Sequence, residues 1–225
     1  MTHGLRILKR EASVPPGLIE RAKTIPVANV SDCMSRMTAG GPSLRPMHAG
    51  GAMAGAAFTV KTRPGDNLMI HKALLLLSPG DVLVVDGGGD LTNSLVGELM
   101  LSYAIAKGSA GVVINGSVRD SAWIARGSFP VFAAGVSHRG PYKDGPGEIN
   151  VPISLGGMVI HPGDLVIGDD DGLLSVPRDD AAAILDAAQK KNAAETKTLE
   201  EIEAGRLDPK TWVDETLRRL GCDGI

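Results

Sequence analysis

Glu98, Arg119 and Asp120 are the residues of this chain whose types and surroundings best suit chemistry. They lie in a stretch, 79–120, that reads PGDVLVVDGGGDLTNSLVGELMLSYAIAKGSAGVVINGSVRD. A cation and an anion side by side at the end of a strand, facing a carboxylate from a neighbouring turn, could hold a metal ion and an anionic substrate. A hard cation such as Mg²⁺ is often bound by only one or two carboxylates plus water, and Asp120 suits that role. Arg119 offers a fork of N–H donors to a carboxylate or an enolate oxygen. The bland alternative is that Arg119 and Asp120 form surface ion pairs and Glu98 is a solvated helix residue.

The elements around these residues must place them together. Apolar runs at 82–85 and 112–114 read as buried strands, each ending in a glycine-rich turn with acidic residues. The segment between them, 93–107, reads as a helix. Its first backbone N–H groups would add an anion site. Both turns could then meet at one end of a sheet, where ligands of α/β proteins bind.

Other familiar chemistry is missing from the sequence. Gly87-Gly88-Gly89 lacks the GxGxxG spacing, and there is no GxxxxGK[ST], GxSxG or HExxH. His3, His48, His71, His138 and His161 are scattered without metal-ligand spacing. Asp169-Asp170-Asp171 resembles the start of a calcium loop, but Leu174 stands where that loop needs glycine, so these aspartates read as turn formers.

With 225 residues, the chain is long enough for one sizeable core and a tail. Hydrophobic residues make up 43% but aromatics only 3%, so that core must be aliphatic. A net charge of -3 without a basic run gives no reason to expect nucleic acid or an anionic membrane as partner. No apolar run approaches the ~20 residues a membrane span needs. Cys33 and Cys222 are far apart and outside any CxxC, as expected of a reduced, cytoplasmic protein.

Residues 1–14 read as a lead-in. Short helices are expected from Pro15 through Ala22 and, capped by Ser31-Asp32, through Met37. A strand is expected over 54–62, then a helix over 68–77 capped by Asp66 or Asn67 and buried nearly all round. After a helical turn at 121–126 come a strand at 131–134, a polar loop at 135–147, and short strands at 151–155, 158–160, 165–167 and 173–176. A helix from Asp179 stops at Gly205, and a last one starts with Asp208 as N-cap and Pro209 at its first position. Residues 79–86 and 162–169 echo each other as turn, strand and acidic turn. Short strands in one half and βα units in the middle imply a layered β/α sandwich. The expected division is a catalytic domain, 1–178, and a helical extension, 179–225, that packs on a neighbouring subunit.

The run GELMLSYAIAKGSAGVVINGSVRD, then FPVFAAG, NVPISLGGMVIHPGDLVIGDDDGLLSVP and a long charged helix, resembles the regulator of ribonuclease activity A family. Within that family it looks like the 4-hydroxy-4-methyl-2-oxoglutarate/4-carboxy-4-hydroxy-2-oxoadipate aldolase branch. The resemblance covers roughly residues 25–205. Its specific part is an acidic residue, twenty intervening positions, then Arg-Asp. Where aldolase members carry Asp, this chain has Glu98, which keeps the charge and adds a methylene.

The resemblance implies an α/β protein with a swivelling β/β/α fold, usually a trimer or a dimer of trimers. It implies a class II pyruvate aldolase that needs a divalent metal such as Mg²⁺ or Mn²⁺ and acts on a small 2-keto acid. Oxaloacetate decarboxylation is the implied side activity. By position, Asp120 would bind the metal and Arg119 the keto or enolate oxygen. Gly97, Leu99 and Met100 would lend N–H groups to the substrate carboxylate. Glu98 would orient a water, joined by Glu195 from a neighbour's C-terminal helix; alternatively Glu195 is one more solvated helix charge. The rival from another class is a non-catalytic regulator that binds a ribonuclease assembly. Members that act only as regulators lack the full acid-plus-Arg-Asp set.

Overall fold

A computed structural model describes residues 4–38 and 40–225. His3 and the first three residues of the lead-in lie outside the described residues. The chain divides into two compact units, 1–189 and 190–225.

The first unit is built on a ten-stranded sheet. Its first strand, β1 (Leu5–Ile7), pairs in parallel with β8 (Gly147–Ile149), so part of the expected lead-in is sheet. Helices α1 (Pro16–Ala22) and α2 (Val27–Cys33) follow. Instead of running from a Ser31-Asp32 cap through Met37, as expected, the second lies at 27–33 with Pro26 as its N-cap residue, and Asp169 Oδ2 accepts the Val27 N–H at 2.9 Å. Next come β2 (Arg45–Pro46), β3 (Met53–Thr62), α3 (Leu68–Leu76) and β4 (Asp81–Asp86). They lead to β5 (Ser94–Val96), α4 (Glu98–Ala106), β6 (Gly111–Val118), α5 (Ser121–Ile124) and β7 (Val131–Val136). Past β8, strands β9 (Ile153–Leu155) and β10 (Met158–Ile160) form a separate hairpin. Then β11 (Leu165–Asp169) and β12 (Gly172–Val176) return to the main sheet, β11 pairing antiparallel with β3.

Parallel pairing of β3, β4, β6 and β7 forms the centre. Alternation along these strands feeds two cores, one on each face. Val82, Val84, Val113 and Phe132 join the core made with β9–β12, α1, α2 and the start of α6 (Ala181–Glu203). Leu83, Val85, Val112 and Ile114 join the core under α3 and α4. The layers are therefore β/β/α with a long C-terminal helix, as expected. Helix α3 departs from the expectation: Met69, Ile70, Ala73 and Leu74 are buried, but Leu75 is 56% exposed and Leu76 40%. The 165–169 echo of β4 also has a structural cause. Asp81 Oδ2 accepts the Ser78 N–H and Asp164 Oδ2 the His161 N–H, both at 2.9 Å, in the same turn before each strand.

The second unit carries the rest of α6, a stop at Gly205 with φ +74°, and α7 (Thr211–Arg219). The last helix begins two residues later than expected. Lys210, at φ +50°, is its N-cap residue, and Asp208 Oδ1 instead accepts the Lys210 N–H.

Strand β1 is fastened by charge. Glu148 Oε1 accepts hydrogen bonds from Arg6 Nε and from the Gly4 N–H. The Arg6 bond, against opposing desolvation, holds the Glu148 carboxyl below its ordinary pKa. A carboxyl depressed on folding stabilises above its unfolded pKa, and that contribution fades as pH falls through the folded value. The acid limb of a pH–stability curve should therefore be shallower in Glu148→Gln than in the wild type, with the two curves parallel near neutrality. Equal acid slopes in urea titrations would contradict the pairing.

Candidate active site

Strands β4 and β6 run side by side, with Asp86 opposite Asn115. The turns that follow meet at their carboxyl ends, where Asn115 O accepts the N–H groups of both Gly87 and Gly89 at 3.1 Å. The expected helix at 93–107 is shorter. Residues 94–96 form β5, which pairs with the end of β6, and α4 starts at Glu98. Ser94 and Asn67 pin this insert: the Ser94 N–H donates to Arg139 O at 2.8 Å, and Asn67 Nδ2 donates to Leu95 O at 2.9 Å. Gly97 is thereby the N-cap residue of α4.

Arg119 and Asp120 form the corner after β6. The Arg119 N–H donates to Val96 O at 3.0 Å, tying the corner to the insert. Asp120 sits in the left-handed region at φ +59°, one of the few side chains that tolerate it. That turn aims its carboxylate at α4, where Oδ2 accepts the Glu98 N–H at 2.8 Å. Glu98 N–H is one of the orphan donors at a helix start, and the positive end of the helix dipole favours the carboxylate there. So the first N–H of the expected anion site is filled by Asp120. Met100 N–H turns back to Gly97 O at 3.1 Å. The Leu99 N–H, also in the first turn, has no place in the intrahelical ladder.

Arg119 Nε lies 3.8 Å from Asp120 Oδ2. That is an ion contact and not a hydrogen bond, so the guanidinium fork is left available. Both side chains are nearly half exposed. Arg119, Gly97, Leu99 and Met100 line one small cavity of about 30 Å³ together with Asn67, Ser94 and Pro141. The first unit thus brings together Glu98 (by its backbone), Arg119, Asp120, Gly97, Leu99 and Met100. Glu195 stands on α6 in the second unit, where Lys191 Nζ approaches its carboxylate to 2.6 Å.

Three contributors escaped the sequence reading. Asn67 and Ser94 read only as a helix cap and a helix residue. Pro141 stands in the polar loop expected at 135–147, to which the sequence assigns no contact. The loop is held over the site by the buried Asp66, whose Oδ2 accepts the Asp144 and Gly145 N–H groups at 2.8 Å. His71 lines an apolar hollow with Leu74, Leu75, Leu99, Met100 and Tyr103. Burial, and then the charge of Lys143, push its pKa down, which keeps the imidazole neutral at pH 7.

A metal fits this corner only in the sparing manner of Mg²⁺. Asp120 Oδ2 is used by the Glu98 N–H, which leaves Oδ1 to face a cation. Among the described residues no group of three or more His, Cys, Asp or Glu could hold one. A site of one or two carboxylates completed by water is the kind a small hard cation accepts.

Fold and corner together define the class: a layered α/β protein with a carboxylate and a guanidinium at the carboxyl ends of parallel strands. Residues 27–174 match the RraA-like family, described as aldolase/RraA, and the chain belongs to it. It is 39% identical over 175 residues to a protein of Halalkalibacterium halodurans provisionally named 4-hydroxy-4-methyl-2-oxoglutarate aldolase, covering 78% of this chain and 83% of that one. A Burkholderia multivorans protein with the same provisional name is 40% identical over 133 residues, 59% of this chain and 80% of its own. Among solved structures, an uncharacterized protein from Pseudomonas syringae pv. tomato superposes with a TM-score of 0.77 at 25% identity, over 86% and 96% of the two chains. The RNA-processing inhibitor RraA from Thermus thermophilis gives 0.62 at 31%, over 68% and 92%. Among the described residues no helix is long and apolar enough to cross a membrane.

Gly97 is required by closeness, since its φ of -153° is ordinary extended backbone. A Cβ there would lie 2.4 Å from Asp120 Oδ2 and 2.8 Å from Arg119 Cγ. Gly97→Ala should therefore cost about 1–3 kcal/mol in urea denaturation and push the Asp120 carboxylate off α4. The sensitive readout is hydrogen exchange at the Glu98 amide, which should quicken; unchanged protection would contradict the geometry.

Proposed function

We propose that this protein is a carbon–carbon lyase: a divalent-metal-dependent pyruvate aldolase. Its substrates are 4-hydroxy-2-oxo diacids of the 4-hydroxy-4-methyl-2-oxoglutarate type, and its products are pyruvate and a second 2-keto acid. Oxaloacetate decarboxylation is a side activity of the same site. The observation that carries the reading is the corner where Asp120, held by the Glu98 N–H, stands beside an unengaged Arg119 guanidinium. The provisional aldolase names of the two relatives support it.

Both reactions break a C–C bond next to a 2-keto acid and leave a pyruvate enolate, whose charge must be stabilised as it forms. Asp120 would hold Mg²⁺ or Mn²⁺, which would supply Lewis-acid polarisation of the keto acid. Arg119 adds N–H donors to the keto oxygen as it becomes an enolate. The Leu99 N–H, with the dipole of α4 behind it, receives the substrate carboxylate beside Gly97 and Met100. Glu98 positions the water that takes the hydroxyl proton and later returns one to the enolate carbon. Glu195 assists from a neighbouring subunit, in a homotrimer or a dimer of trimers.

A second reading, a regulator of RNA processing, draws support from the likeness to the Thermus thermophilis inhibitor. Turnover separates the two. Pyruvate release from 4-hydroxy-4-methyl-2-oxoglutarate, and from oxaloacetate, should require Mg²⁺ or Mn²⁺ and stop in EDTA. Asp120→Ala should lose at least about 10²-fold in kcat/KM, and Arg119→Ala a similar amount. Full activity in EDTA, or in Asp120→Ala, would reject the aldolase; no turnover of either substrate would favour the regulator.

A further inference from the structure

Asn67, which lines the candidate site, has an unused acceptor, Oδ1, that is closed to solvent in this structure. It is 2% exposed and is the N-cap residue of α3. An asparagine in that place normally caps its helix with its side-chain oxygen. Here it makes no such bond, because Asp66 Oδ1 takes the Leu68 N–H at 2.9 Å instead. Its amide nitrogen is fully engaged, with Leu95 O at 2.9 Å and Met100 Sδ at 3.4 Å. Those bonds fix the orientation: turning the amide over would set its oxygen against Leu95 O. What remains is Oδ1, buried and without a partner.

A buried acceptor left unpaired destabilises a protein, so it calls for an explanation. The cavity supplies one. Asn67 lines it with Arg119, Gly97, Leu99 and Met100. The other polar groups offered to a ligand here, the Arg119 guanidinium and the α4 N–H groups, are donors. Asn67 Oδ1 calls for a donor in return. An ionised 4-hydroxy-2-oxo diacid carries acceptors at both carboxylates and at the keto oxygen, and its hydroxyl is its single donor.

We propose that Asn67 is a substrate-binding residue that recognises the 4-hydroxyl group, with Oδ1 accepting its hydrogen bond as the substrate docks. The inference rests on the aldolase reading above. The hydroxyl has one hydrogen, so cleavage follows a rotation about its C–O bond that turns the proton from Asn67 to the water beside Glu98. Asn67 thereby selects hydroxylated substrates over keto acids that lack the group. Oxaloacetate in its keto form has no hydroxyl and makes no demand on Asn67.

The test compares two substrates in one variant. Asn67→Leu keeps the side-chain shape and removes the acceptor together with the Nδ2 donor to Leu95 O. With Mg²⁺, the ratio of its kcat/KM for 4-hydroxy-4-methyl-2-oxoglutarate to that for oxaloacetate should fall about 30-fold; the lost Nδ2 bond to Leu95 O slows both reactions alike and leaves that ratio unchanged. Asn67→Ser, with an acceptor on a shorter arm, guards against misfolding of the leucine variant; its ratio of cleavage to decarboxylation should fall less than that of the leucine variant. A purely structural role would lower both reactions together, and equal losses would overturn the assignment, as would undiminished cleavage in Asn67→Leu. A wild-type protein inert on both substrates would overturn the aldolase reading and this inference with it.

Discussion

The hydrogen bond from the Glu98 N–H to Asp120 Oδ2 is the interaction on which the site depends. It joins the end of β6 to the start of α4, consecutive elements whose bonded residues lie 22 positions apart in the chain. Three local conditions meet at that bond. Asp120 must enter the left-handed region, Gly97 must present no side chain, and α4 must begin at Glu98 and no earlier. Each is unusual alone, and together they spend one carboxylate oxygen on the fold and free the other. The same bond settles which helix-start donor is left for an anion, because the first is already occupied.

Much of the frame was legible because alternation in β4 and β6 writes both cores into the sequence. Val82 and Val84 face one core, Leu83 and Val85 the other. Acidic turns after such strands pointed to the end of the sheet where those two turns meet. What escaped was short or set by distant partners. Ser94-Leu95-Val96 carries no period that separates strand from helix, and only its pairing with β6 makes it a strand. Leu5–Ile7 is extended because Glu148, far along the chain, holds Arg6 and Gly4. Pro26 reads equally well as a helix stop and as the residue before a helix; Asp169 decides between them. Asn67 was visible as a polar residue before an apolar helix. That Asp66 would take over the capping, and release the Asn67 oxygen, was not.

The family carries both aldolase and RNA-processing-inhibitor names, so the fold alone does not choose between them. The choice lies in side chains at one corner. A regulator needs a surface, whereas a lyase needs charge placed where an enolate forms. The donors of Arg119, the freed oxygen of Asp120 and the acceptor of Asn67 are complementary in kind to a hydroxylated keto acid. Residues 190–225 form a unit of their own, with no buried residue in it.

Direct measurement of the cation tests the central assignment without relying on turnover. Mn²⁺ titrated into the protein and followed by electron paramagnetic resonance should show a saturable site in the wild type. In Asp120→Asn, which keeps the acceptor for the Glu98 N–H and the tolerance for a left-handed backbone, that site should be lost while the fold stays intact. Mn²⁺ binding of the same strength in Asp120→Asn would contradict a cation held by Asp120.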